Sequence, residues 1–192
     1  VLGTVSGTLA EGNSQTASVS VVLQSAPLSD VIIDIQSQDL TEVTLGVSSL
    51  TFTSSDWNTP QIVYLSSVDE FLVDGLQTVS ITASVSSLSD SAFTGLSPQT
   101  VTVDNADNDV AGFTLSPLYG GSLLEGSSDT VSFTVVLDAQ PDPLDNNVII
   151  DIIVNAIQNT LINIFVIINI NLNLSVNEAV HINITFTFTE YF

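Results

Sequence analysis

The chain contains no Lys, no Arg, no Cys and no Met. Each absence excludes something. Without Lys or Arg there is nothing to neutralise phosphates, so nucleic acid is ruled out as a partner. An anionic membrane surface is ruled out on the same ground. Without Cys there are no disulfides and no thiolate metal sites, and the redox compartment stays undetermined. Against 15 Asp and 6 Glu stands a single His, giving a formal charge of −21 over 192 residues. Side-chain salt bridges are therefore almost absent, and the carboxylates can only repel one another or recruit ions from solution. Bound metal ions are the obvious compensation. Turn formers also run out: no Gly follows Gly126 and no Pro follows Pro143.

What is present argues for a folded chain. Hydrophobic residues make up 44% and mean hydropathy is positive, so this is not an acidic disordered tail. The length suffices to bury a core in one or two domains. The chain starts Val1-Leu2-Gly3, without initiator Met or leader, and reads as a piece of something longer.

Over the first hundred residues, apolar residues alternate in short runs: Thr16 to Leu23, Asp30 to Ile35, Thr41 to Val47, Ser49 to Thr53, Gln61 to Leu65, Thr78 to Val85 and Gln99 to Val103. About seven strands at this spacing, with no helix-period segment, predict an all-β fold: an immunoglobulin-like antiparallel β-sandwich. Trp57, just ahead of a strand, reads as a core plug at the end of the sandwich rather than as a ligand-stacking surface aromatic.

The stretch Val103-Asp104-Asn105-Ala106-Asp107-Asn108-Asp109 closes this unit, and after it the pattern restarts. Leu9-Ala10-Glu11-Gly12 returns as Leu123-Leu124-Glu125-Gly126, and the run Val21 to Pro27 returns as Val135 to Pro141, both at an offset of 114. Asp30 to Ile35 returns as Asn147 to Ile152, shifted by three more residues. Matched blocks in one order indicate a tandem repeat, residues 1–110 and 111–192, the second copy truncated or divergent after about 152. Its end is rich in Ile and Asn, with a weak echo of Val73 to Thr82 at Val176 to Thr185. Residues 148–170 are interrupted by Asp151 and several Asn and lack a basic flank, which argues against a membrane span.

Three Asp and two Asn within residues 104–109 supply hard oxygen ligands at close spacing, which suits Ca²⁺. Glu11, Asp69, Glu70 and Asp74 lie in other loops, and loops distant in sequence can converge at one end of a sandwich. The alternative is that all are turn residues and solvated carboxylates. Enzyme readings fare poorly. Only His181 could serve a Ser-His-Asp arrangement, no Gly-x-Ser-x-Gly elbow occurs, and no phosphate-binding Gly loop with Lys is present.

Glu11-Gly12, Val68-Asp69-Glu70 with Asp74-Gly75, and Asp107-Asn108-Asp109-Val110-Ala111-Gly112-Phe113 resemble the Calx-β repeat. Leu50-Thr-Phe-Thr with Asp56-Trp-Asn-Thr-Pro-Gln61 is similar to the tandem Calx-β-like repeats of large secreted bacterial adhesins. The resemblance covers about residues 1–152. It implies Ca²⁺ at the end of the sandwich next to the following domain, with Glu11, Asp69, Glu70, Asp74, Asp107 and Asp109 as ligands. Asn108 departs from the family's terminal acidic triplet, and Asn177 stands where Asp74 would align in the second copy. The expectation is a non-enzymatic structural repeat of a long extracellular or cell-surface protein, acting as a Ca²⁺-stiffened stalk, adhesin or filament unit. It would contact neighbouring repeats or copies of itself through sheet edges. A glycan-binding accessory module of a secreted enzyme is the alternative.

Overall fold

A computed structural model describes residues 1–117, 131–141, 148–155, 165–172 and 181–186. No helix occurs among the described residues, so none is long and apolar enough to cross a membrane. The chain forms two compact units. The first comprises Val1–Glu70 and Asp74–Asn108, the second Phe71–Val73 and Asp109–Phe192.

In the first unit eight strands follow the alternation closely: β1 (Leu9–Ala10), β2 (Thr16–Val21), β3 (Val31–Ser37), β4 (Val43–Leu45), β5 (Ser49–Phe52), β6 (Gln61–Ser67), β7 (Gln77–Val85) and β8 (Gln99–Ala106). They make a five-stranded sheet in the order β1-β8-β7-β3-β5 and a three-stranded sheet in the order β2-β6-β4. Every pair is antiparallel except β1 with β8. Because successive side chains point to opposite faces, each strand gives every second residue to the interior. Val19 and Val21, Val31, Ile33 and Ile35, Val63 and Leu65, Val79 and Ile81, and Val103 join Phe52 in one apolar cluster. Both sheets feed that cluster, so the arrangement is sandwich-like. Each such side chain contributes about 1.5–3 kcal/mol when fully buried.

The chain enters by switching sheets. Leu2 and Ser6 pair antiparallel with Val21 and Ser18 of β2, and three residues later, at Leu9, β1 runs parallel to β8. Gly7 lies at the crossing with φ +95°, and an added Cβ would come within 3.0 Å of the Thr16 carbonyl oxygen. Only Gly accepts that backbone and that approach without strain. The leading segment also covers the outer edge of β2, so the remaining edges of the two sheets are the short strands β1, β4 and β5. Short edges are one way natural sheets discourage further pairing.

Trp57 is half-buried and packs against the core, and its carbonyl accepts the Leu23 N–H. At the same end, Asp90 draws two loops together: its carboxylate accepts the backbone N–H groups of Leu28, Ser29 and Ala92. These three donors hold its carboxyl below the usual range. Phe93 is buried beside it. A cavity of about 300 Å³ opens there, lined in part by Leu23, Val85, Phe93 and Gln99. Gln99 begins β8, and the other end of β8 lies about 20 Å away by strand rise.

In the second unit, β9 (Phe113–Leu115), β10 (Val131–Leu137) and β13 (His181–Phe186) form a sheet in the order β13-β10-β9. β11 (Val148–Asn155) and β12 (Phe165–Leu172) pair as a separate antiparallel ribbon from Val148↔Leu172 to Asn155↔Phe165. Of the recurring sequence blocks, Val135 to Leu137 lie in β10 and Val148 to Ile152 in β11. Leu115 pairs with Val135 much as Leu2 pairs with Val21. The echo near the end behaves differently. His181–Phe186 resembles β7 in sequence, yet it pairs with β10, which places it as β6 is placed beside β2. The Glu125 and Asn177 positions lie outside the described residues.

Candidate metal centre

β8 carries the centre. Its inward positions are Val101, Val103 and Asn105, so strand alternation delivers a polar amide to the interior, where Asn105 is wholly buried. Its Nδ2 donates to Glu42 Oε2 at 3.0 Å, and to the Glu42 carbonyl and Glu11 Oε1 at 3.4 Å each. Its Oδ1 accepts the Ser67 hydroxyl at 2.6 Å. One side chain thus links the end of β1, the entrance to β4 and the end of β6. Backbone bonds fix the same three pieces: Glu11 N–H to Ala106 O, and Val68 N–H to Glu42 O, both at 2.9 Å.

Around this amide stand carboxylates. Glu11 is 3% exposed and Glu42 7%, and Glu70 is half-buried. Each of the three offers one oxygen, all within 4.8 Å of one another. Glu11 and Asp107 likewise approach within 4.8 Å. Glu11 Oε2 is buried without a hydrogen-bond partner. Burial first, and then the negative charges of Glu42, Asp107, Glu70 and Asp74, push its carboxyl from 4.5 up to about 7. A buried anion hemmed in by anions is costly unless something cationic offsets it, and this chain has no Lys or Arg to supply that.

The donor set fits a hard divalent cation. Ca²⁺ binds six to eight oxygens at 2.3–2.6 Å, so ligand oxygens around one ion lie up to about 5 Å apart. Three carboxylate oxygens within 4.8 Å are compatible with that spacing, and Glu11 Oε2 has no hydrogen-bond partner. An ion there would cancel the repulsion that raises the Glu11 carboxyl.

Of the residues expected from sequence, Glu11, Glu70 and Asp107 are thus brought together. Asp69 is exposed and accepts the Asn108 side-chain amide at 3.2 Å. That contact depends on Gly12, at φ +62°, where a Cβ would stand 2.4 Å from Asn108 Nδ2. Asp74 is exposed and adds field rather than contact. Asp104 points away from the centre, on the outer face, and accepts the Thr78 hydroxyl at 2.7 Å. Asp109 is half-buried and opens the second unit.

No protein-family model matches the chain, and no curated protein is significantly similar to it. The centre is therefore read from its own atoms.

The sequence reading passed over Glu42, and counted Asn105 only among the oxygen donors of the acidic run. A signal for each was present. Glu11, Glu42 and Glu70 are the only Glu residues before Glu125, and Glu, unlike Asp, is not a turn former. A Glu beside a strand end therefore asks for another explanation. Asn105 continues the period of Val101 and Val103, which outweighs its membership of an acidic run.

Proposed function

We propose that the first unit is a Ca²⁺-binding, immunoglobulin-like module of the Calx-β kind, and that it serves as a non-enzymatic structural repeat of a long extracellular or cell-surface protein. The observation that carries the reading is Glu11. It is a buried carboxylate with an unpartnered oxygen, set against Glu42 and Glu70 in a chain without Lys or Arg. Calcium supplies the missing positive charge. The residues that would hold it are Glu11, Glu42 and Glu70, with Asp107 beside them. They come from the end of β1, the entrance to β4, the segment after β6 and the end of β8, so binding fastens four chain segments that otherwise repel. This is a stiffening device, as a stalk, adhesin or filament unit requires.

Recurrence of the Val21 to Pro27 block on β10 supports a repeat architecture. Self-association would use the edges of the second unit, where β11 and β12 form a two-stranded ribbon and exposed edges recruit strands. A glycan-binding accessory role, the alternative, would draw on exposed aromatics; Trp57 packs against the core, while Tyr64 of β6 is exposed.

The test is calorimetric titration with Ca²⁺, paired with thermal melting in Ca²⁺ and in chelator. Wild type should bind and melt higher with the ion. Glu11→Gln should lose both responses, and Asp138→Ala, an exposed residue of the second unit bonded to Thr114, should keep them. No heat of binding and superimposable melts would refute the calcium reading.

A further inference from the structure

We propose that Asp74 is a site of spontaneous isoaspartate formation, and that Asp107 sets its rate by holding the backbone amide that would attack it. Asp74-Gly75 is the only Asp-Gly pair in the chain, and there is no Asn-Gly pair. Both residues are exposed and lie between β6 and β7, outside any strand. A side chain on the residue after Asp normally hinders ring closure. Here there is none, and a Cβ placed on Gly75 would meet nothing within 4 Å.

The reaction needs no oxidant, metal or second protein. The Gly75 nitrogen attacks Cγ of Asp74 and gives up its proton, and the carboxyl oxygen leaves as water, closing a succinimide. Water then opens the ring. Opening at Cγ restores Asp74. Opening at the main-chain carbonyl leaves the backbone running through the former side chain, with the carboxylate on Cα. Atoms balance as one water lost and one regained, and nothing is oxidised or reduced.

One contact bears directly on the attacking atom. The Gly75 N–H donates to Asp107 Oδ2 at 2.8 Å. A carboxylate is far too weak a base to take an amide proton, so it retains that proton on nitrogen and fixes the plane of the peptide. The Gln77 side chain, donating to the Asp74 carbonyl at 3.0 Å, steadies the other side. A hydrogen bond to a charged acceptor is strong enough to slow a step that must break it by about tenfold or more. Isomerisation would add a methylene to the main chain and move one of the charges that press on Glu11. The site would thus age from its rim. The inference does not rest on calcium.

The test is incubation of the full chain at neutral pH without added metal, with isoaspartate mapped by enzymatic methylation and peptide mass spectrometry. Isoaspartate should accumulate at Asp74 above the level at Asp39, Asp56 and Asp90. Asp107→Asn should raise its rate about tenfold, and Asp74→Glu should abolish it. Hydrogen exchange on the folded wild type gives a second measure that survives if Asp107→Asn fails to fold: the Gly75 amide should be protected about tenfold relative to the free chain. Background isoaspartate at Asp74, an equal or slower rate in Asp107→Asn, or an unprotected Gly75 amide would each overturn the proposal.

Discussion

Asn105 donates its side-chain amide to Glu42 across 3.0 Å inside the first unit, where neither residue meets solvent appreciably. The amide offers two N–H groups and no net charge, so it satisfies acceptors without neutralising them. The Asn108–Asp69 contact repeats the device at the surface. A chain without basic residues can hydrogen-bond its carboxylates in this way. Burial raises the Glu11 carboxyl, and such hydrogen bonds do not cancel the repulsion between the carboxylates, which raises it further.

Asn105→Leu should therefore be severely destabilising. It removes the donor to Glu42 and Glu11 and the acceptor of the Ser67 hydroxyl, leaving buried polar atoms unsatisfied at about 1–3 kcal/mol each. A total loss of about 3 kcal/mol is expected by urea denaturation, with Ca²⁺ recovering only part of it. A loss below about 1 kcal/mol would mean that water replaces the amide freely.

The Glu11 carboxyl sets the pH dependence. Its folded value is raised to about 7 from 4.5, so the folded state binds this proton more tightly than the unfolded chain. The resulting stability is fully present below about 4.5 and is lost as pH rises through about 7. Allowing for screening by water and salt, the loss should be about 1–2 kcal/mol. In metal-free buffer the melting temperature should fall between these limits, and Glu11→Gln should flatten the fall. Saturating Ca²⁺ should flatten it too, because the ion replaces the proton. A curve that rises with pH over this window would contradict the assignment.

Asp90 supplies a control at the far end. Its carboxylate closes the Leu28, Ser29 and Ala92 N–H groups, and no ligand is needed to explain it. Asp90→Ala should lower the melting temperature by several degrees, equally in Ca²⁺ and in chelator. A Ca²⁺-dependent difference would mean that the two ends are coupled through the core.

Much of this was legible in the sequence. The strands from Thr16 to Val103 follow from period-two alternation, because a half-buried sheet admits little else. The acidic centre was legible only in part. Composition said that cations were missing, and spacing said which loops were acidic. Neither said which carboxylates turn inward. Asp69 and Asp104 sit in the same acidic stretches as Glu70 and Asp107, yet one side chain finds Asn108 and the other faces out from β8. Such choices follow from strand register, which a run of charges does not encode. The pairing of His181–Phe186 with β10 is a similar case. Its sequence suits a strand in either sheet, and the partner is settled by the rest of the unit.

Glu42 and Asp69 separate the two versions of the centre. Family resemblance implied Asp69 and passed over Glu42. The structure buries Glu42 beside Glu11 and leaves Asp69 exposed against Asn108. If the buried triad holds the ion, Glu42→Gln should remove most of the Ca²⁺-induced stabilisation, and Asp69→Asn should leave most of it. A ligand present at several times its dissociation constant stabilises by about 1 kcal/mol, a few degrees for a domain of this size. The shift is readable by melting each variant at matched free Ca²⁺ and in chelator. In chelator, Glu42→Gln should be as stable as wild type or more so, since it removes one buried negative charge. Exposed Asp69→Asn should change little. The reverse pattern, calcium response lost with Asp69→Asn and kept with Glu42→Gln, would place the ion at the rim and leave the buried carboxylates to protonation alone.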